Sequence, residues 1–130
     1  MYQNVEIIGR VGRDPETHID PATNSQVTSF NVAISRGPNE RPLWYRVSAW
    51  GKLSNLCAER IVEGALVHVN GKMSGGSDGY PRMWKRGDGT LSASFELVAR
   101  TVNVLFTGAG AVSTETAETV EEPEKSIRFK

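Results

Sequence analysis

Two stretches of this chain alternate their side-chain character with a period of two, which is the period of a strand and not of a helix. In TSFNVAIS, Phe30, Val32 and Ile34 share one side, and Ser29, Asn31 and Ala33 share the other. In LWYRVSAW, Leu43, Tyr45, Val47 and Ala49 make an apolar face, while Trp44, Arg46, Ser48 and Trp50 make the opposite one. An apolar strand face has to be buried against another element, so the chain is pushed toward a layered or closed β-structure. The second face of LWYRVSAW then meets solvent or a partner, and it carries ring, cation, hydroxyl and ring in that order.

The remaining runs extend this pattern. NVEIIGRVG begins with a Val5/Ile7 alternation and is broken by glycines; ALVHVNGKM points Val67 and Val69 inward; SASFELVARTVNVLF is the last and longest strand candidate. GRDPE and RGPNERP read as turns. One helix is predicted, between the third and fourth strands. Leu53, Leu56, Cys57 and Ile61 recur there at helical spacing, and Gly64 is placed as its C-terminal glycine cap. Five strands with a single helix between the third and fourth is the order of the small all-β Greek-key barrel known as the OB-fold. Gly9, Gly12 and Gly71 suit the bends of such a barrel.

Composition changes after Phe106. TGAGAVSTETAETVEEPEK has no aromatic residue and few large apolar ones, so residues 108–130 are expected to be a disordered tail following a folded domain at 1–107. The net charge is zero overall, yet twelve basic and ten acidic residues precede Gly108, against three and five after it. The domain is thus mildly basic and the tail acidic. So small a surplus is a faint electrostatic footprint, and nucleic-acid binding has to be argued from local arrangement.

Several function classes lose support. No apolar run approaches the roughly 18–20 residues of a membrane span. The opening MYQNVEIIGR lacks the basic and then apolar regions of a signal peptide. A lone cysteine makes no internal disulfide, which points to a reducing cytoplasm. His18 and His68 stand far apart with no second cysteine, so neither a metal nor another cofactor is expected. Cys57 has no histidine near it in sequence and reads as a small buried hydrophobe. No phosphate-binding loop precedes a helix, and Asp14 and Glu16 find no third ligand. No catalytic residue is assigned.

The exposed face of LWYRVSAW has the grammar of a platform for unpaired bases. Trp44 and Trp50 would lie ~20 Å apart along an extended strand. Stacking of a base on a protein ring is worth ~1–3 kcal/mol. Arg46 and Lys52 alongside would meet phosphates. The reverse facing, with the tryptophans in the core, would bury Arg46 with them. GYPRMWKRGDGT repeats the grammar: Tyr80, Arg82, Trp84 and Arg86 share one parity, with Lys85 opposite. GDG is a hairpin-turn signal, and Pro81 confines this ribbon to an edge. The preceding SGGSDG makes the ribbon a flexible basic clamp, for which a solvated β-ribbon with incidental rings is the alternative. Arg36 and Lys72 complete the set of expected phosphate contacts.

Taken in order, VEIIGRVGRDPE, LWYRVSAWGKL, VEGALVHVNGKM and PRMWKRGDGTLSASFELVA resemble the segments of bacterial-type single-stranded-DNA-binding proteins. The resemblance covers residues 1 to about 107. It implies an OB-fold homotetramer, cytoplasmic and nucleoid-associated, that wraps and protects single-stranded DNA in replication, recombination and repair. Trp44 and Trp50 match two stacking positions of that family, the second commonly phenylalanine, and Trp84 matches a third, counted back from Phe95-Glu96. Arg46 and Lys52 match basic positions beside them. The chain also departs from the family pattern. The Ser35–Trp44 connection is short, with Arg36 and Gly37 where an aromatic is usual; Tyr45 replaces a histidine; and Ser74 to Gly79 are additional. Family tails often close on Asp-Ile-Pro-Phe and recruit replication or repair proteins, whereas this one ends EEPEKSIRFK. An RNA-binding OB protein, or an interaction subunit that binds DNA weakly, would share many of these features.

Overall fold

The computed structural model describes residues 1–107. The barrel strands are β1 (Val5–Val11), β3 (Ser25–Ile34), β4 (Leu43–Trp50), β5 (Leu66–Met73) and β8 (Phe95–Phe106). They close in the order β1-β5-β8-β4-β3, and β3 returns to β1 through Arg10↔Ala33 and Val11↔Val32. All these pairings are antiparallel except β4 with β8. The fold is therefore the all-β OB barrel that the strand order predicted, with helix α1 (Lys52–Arg60) between the third and fourth barrel strands.

Alternation decides which residues fill the barrel. Phe30, Val32, Val47, Ala49, Val67, Val69 and Leu97 are all buried in one cluster with Ile7, Val11 and Val102. Two glycines let the backbones approach closely enough for closure. A Cβ at Gly9 would stand 2.3 Å from the Ala33 carbonyl oxygen, and one at Gly71 only 2.2 Å from that of Val98. Gly71 also lies at a register shift between β5 and β8, where the strand bends.

Helix α1 closes one end of the barrel. Cys57 and Ile61 are buried against the core, and Leu53 packs partly buried beside them. Polar groups complete this seal. The buried Thr28 hydroxyl lies 2.7 Å from Ser54 Oγ, 3.0 Å from the Ser54 carbonyl and 2.8 Å from Thr17 Oγ1. Three elements therefore share one satisfied hydroxyl cluster, and emptying it would cost ~1–3 kcal/mol for each orphaned partner.

Three sequence expectations are corrected. Glu16, read as part of the GRDPE turn, instead begins a strand, β2 (Glu16–Asp20), paired in register with β3 from Glu16↔Ser29 to Asp20↔Ser25. Asp20 then holds the hairpin loop by accepting from the Ala22 amide and the Thr23 hydroxyl, while Asn24 takes φ 59°. The long final strand candidate is two strands, β7 (Leu91–Ala93) and β8, with β7 paired to β6 (Met83–Lys85) in a separate two-stranded arm. Gly64 does not cap the helix. The helix ends on extended Ile61, whereas Gly64, at φ 88°, turns the chain so that its amide donates to the Val11 carbonyl. The expected tail at 108–130 lies outside the described residues.

Candidate nucleic-acid interface

The facing of β4 is the first question, because either its tryptophans or its valine and alanine enter the core. Val47 and Ala49 are fully buried, and Trp44 and Trp50 are 46% and 40% exposed on the outer surface with Arg46. The hydroxyl between them, Ser48, shares that face.

A groove of about 410 Å³ crosses this outer face. Its floor comes from alternate residues of four adjacent strands: His18 and Asp20 of β2, Val27 and Ser29 of β3, Arg46, Ser48 and Trp50 of β4, and Glu96 and Val98 of β8. Strand register explains the grouping. His18, Val27 and Trp50 stand side by side across three strands, and Asn31, Arg46 and Glu96 form a parallel row. Ser74 and Arg82 close the groove from the side of the arm. Arg82 donates from Nη2 to Glu96 Oε1 at 2.9 Å, and Ser94 Oγ donates to the other carboxylate oxygen at 3.4 Å.

The groove thus gathers Arg46, Trp50 and Arg82 from the residues singled out in the sequence. The others lie outside its lining. Trp44 stands at the opposite end of β4, over Gly12, where an added Cβ would meet its ring at 2.7 Å. Lys52 is the first residue of α1 and not a continuation of the strand. Lys72, exposed on β5, sits in register with Val98 at the groove edge. Arg36 lies in the β3–β4 connection and donates from Nε to the Arg41 carbonyl at 2.9 Å.

Trp84 and Lys85 are on the arm, Trp84 opposite Ser92 and 43% exposed. Arg86, just past β6, donates from Nη2 to Ser92 Oγ. The Gly87-Asp88-Gly89 turn is held by Asp88, which accepts from both the Thr90 amide and the Thr90 hydroxyl. Those bonds, the amide's first, keep its carboxyl below the usual range. Tyr80 lies outside the ladder, at the arm's root, and lines a second recess.

Sequence reasoning missed His18, Ser29 and Glu96 as groove residues. His18 and Ser29 became visible only once β2 paired with β3. Glu96 needed the parallel pairing of β4 with β8, which no local pattern announces. The other histidine is remote: His68, on the outer face of β5, takes a hydrogen bond from Asn103 Nδ2 on Nδ1 and donates from Nε2 to Glu6 at 2.5 Å. No group of three potential metal ligands occurs among the described residues. Nor is any described helix long and apolar enough to cross a membrane.

A closed five-strand barrel with one capping helix is an OB-type barrel, and the rings and cations gathered on the outside of β2-β3-β4-β8 are the chemistry with which such barrels can hold nucleic acid. The model of the single-strand binding protein family matches residues 2–105. The chain belongs to that family. It is similar to a single-stranded DNA-binding protein of Thermotoga maritima, at 28% identity over 98% of this chain and 90% of the relative. A single-stranded DNA-binding protein of Clostridium tetani is 32% identical over 80% of this chain and 70% of its own length. With single-stranded DNA-binding protein 1 of Chlorobaculum tepidum the identity is 34%, over 53% of this chain and 46% of the relative. The chain thus spans under half of that last protein's length.

Proposed function

We propose that this chain binds single-stranded DNA with little regard to sequence and protects it during replication, recombination and repair, without catalysing a reaction. The observation that carries the proposal is the convergence of Trp50, Arg46 and Arg82 on one outer-face groove. A π-face stacks any base, and a guanidinium neutralises any phosphate, so the pair is sequence-tolerant. Trp44, Trp84 and Tyr80 extend the stacking surface to either side. Lys52, Lys72, Arg36, Lys85 and Arg86 flank the path with positive charge. Residues 1–107 are the binding domain and 108–130 an acidic tail available to replication or repair proteins. The working assembly is a homotetramer in the cytoplasm, associated with the nucleoid.

Titration with oligo-thymidine, followed by tryptophan fluorescence at several salt concentrations, tests the proposal. Strong quenching is expected, with log–log salt dependence of ~−0.7 per phosphate contact. A parallel RNA oligomer of matching sequence separates DNA from RNA preference. Truncation before Gly108 should leave folding and DNA binding intact. Absence of quenching, or binding indifferent to salt, would remove the stacking or the phosphate contacts respectively.

A further inference from the structure

Beside the groove, at the root of the arm, lies a second recess of about 480 Å³, walled by Phe95, Tyr80, Met73, Pro81 and Ala93. It is predominantly apolar, and two of its rings are open to solvent, Phe95 at 48% and Tyr80 at 70%. We propose that this recess holds an unpaired base of the same strand, stacked on Phe95. The proposal rests on the single-stranded DNA reading above.

Phe95 is placed by the end of a pattern. It has the inward parity of Leu97, which is buried, but as the first residue of β8 it projects past the core. Its ring centroid is 5.6 Å from that of Tyr45, its partner across the parallel β4–β8 pairing, at an interplanar angle of 37°. The partner ring restrains one side of Phe95, so little side-chain entropy remains to be lost when a base covers the other side.

Continuity selects the occupant. Ser74 and Glu96 line both the recess and the groove, so the two are separated only by that shared wall, where Arg82 rests on Glu96. Along the outer face of β4 a strand leaving Trp50 reaches Arg46, the register partner of Glu96, after roughly 13 Å, and the recess with inward-facing Phe95 opens behind that shared wall, within the ~4–16 nucleotides that one OB barrel covers. Arg82 at the wall would meet the phosphate between the two subsites.

The test compares Phe95→Ala and Phe95→Leu with Trp50→Ala, using oligo-thymidines of about 4 and about 12 nucleotides. Both Phe95 variants should lose roughly 5- to 150-fold in affinity for the longer oligomer and little for the shorter. Leucine keeps the apolar contact without the π-face and preserves a folded control should alanine destabilise the strand start. An oligo-thymidine carrying 5-iodouracil should photo-crosslink to Phe95. Unchanged affinity for the longer oligomer together with no crosslink at Phe95 overturns the subsite. If Trp50→Ala is then still impaired, the groove stands without it; if Trp50→Ala is equally silent, the groove reading falls too. A shift in sedimentation of the Phe95 variants with DNA affinity intact would assign the recess to a second copy of the chain, and would equally overturn the base.

Discussion

Arg82 of the arm reaches the barrel through a 2.9 Å contact from its Nη2 to Glu96 Oε1, and the carboxylate it meets stands in the groove floor next to Arg46. The two partners differ in setting: the Arg82 side chain is 54% exposed, and that of Glu96 only 16%. A carboxylate so placed occupies in the free protein the guanidinium that a phosphate would take in the complex. It also ties the arm down across the groove's edge.

Glu96→Gln should therefore tighten oligo-thymidine binding at low salt by about 1 kcal/mol, roughly fivefold. The gain should shrink as salt screens the remaining charges. Arg82→Gln should weaken binding and abolish most of that gain in the double variant. Affinities across a salt series decide this, and weaker binding by Glu96→Gln would mean that the carboxylate supports the arm instead of competing with the strand.

Trp44→Ala and Trp50→Ala should each cost ~1–3 kcal/mol of DNA binding with the cooperative thermal transition kept, because both rings stand outside the core. Calorimetric melting beside the binding titration checks both halves of the expectation. A variant that no longer melts cooperatively would place its ring in the fold's support and not in the interface.

Gly9, within β1, and Gly12, just past its end, should behave differently. Gly9→Ala drives a methyl group to 2.3 Å from a backbone oxygen in the β1–β3 closure, so it should destabilise the barrel outright. Gly12→Ala presses only on the Trp44 ring, at 2.7 Å, and should reposition that ring while the barrel stays folded. Chemical denaturation should separate the two, and DNA binding should fall in Gly12→Ala without a matching loss of stability.

Burial pushes the Cys57 thiol from 9.0 up to about 11. The folded state thus holds its proton more tightly than the unfolded chain. The stability linked to this group is complete below pH 9.0 and is lost as pH rises toward about 11. Alkylation at pH 8 should be slow in the native protein and fast in denaturant. Rapid labelling of folded protein would show that α1 opens readily.

The arm should gain protection on binding. Gly75, Gly76, Gly79, Gly87 and Gly89 give residues 74–90 high backbone freedom, and few large apolar side chains offset the entropy of ordering them. Hydrogen exchange with and without oligo-thymidine measures this directly. Full protection of the arm in the free protein, or none gained in the complex, would rule out a clamp.

Local pattern alone determined the strand periods, the position of the helix and the facing of β4. Val47 and Ala49 are small and apolar, and Trp44, Arg46 and Trp50 on the other parity cannot share a core with a guanidinium among them. The GDG hairpin was legible for the same reason, since its turn chemistry is contained within a few residues. Strand β2 was not, because ETHID has no alternating apolar face and gains its order from hydrogen bonding to β3. The groove was legible only in part. Arg46 and Trp50 announce themselves on one strand, but His18, Ser29, Arg82 and Glu96 arrive from four other elements, brought together by the β2–β3 hairpin, the parallel β4–β8 pairing and the arm. Phe95 shows the same division. Its parity assigns it inward, and only the tertiary structure, by beginning the core at Leu97, two residues further along β8, leaves its ring in the open.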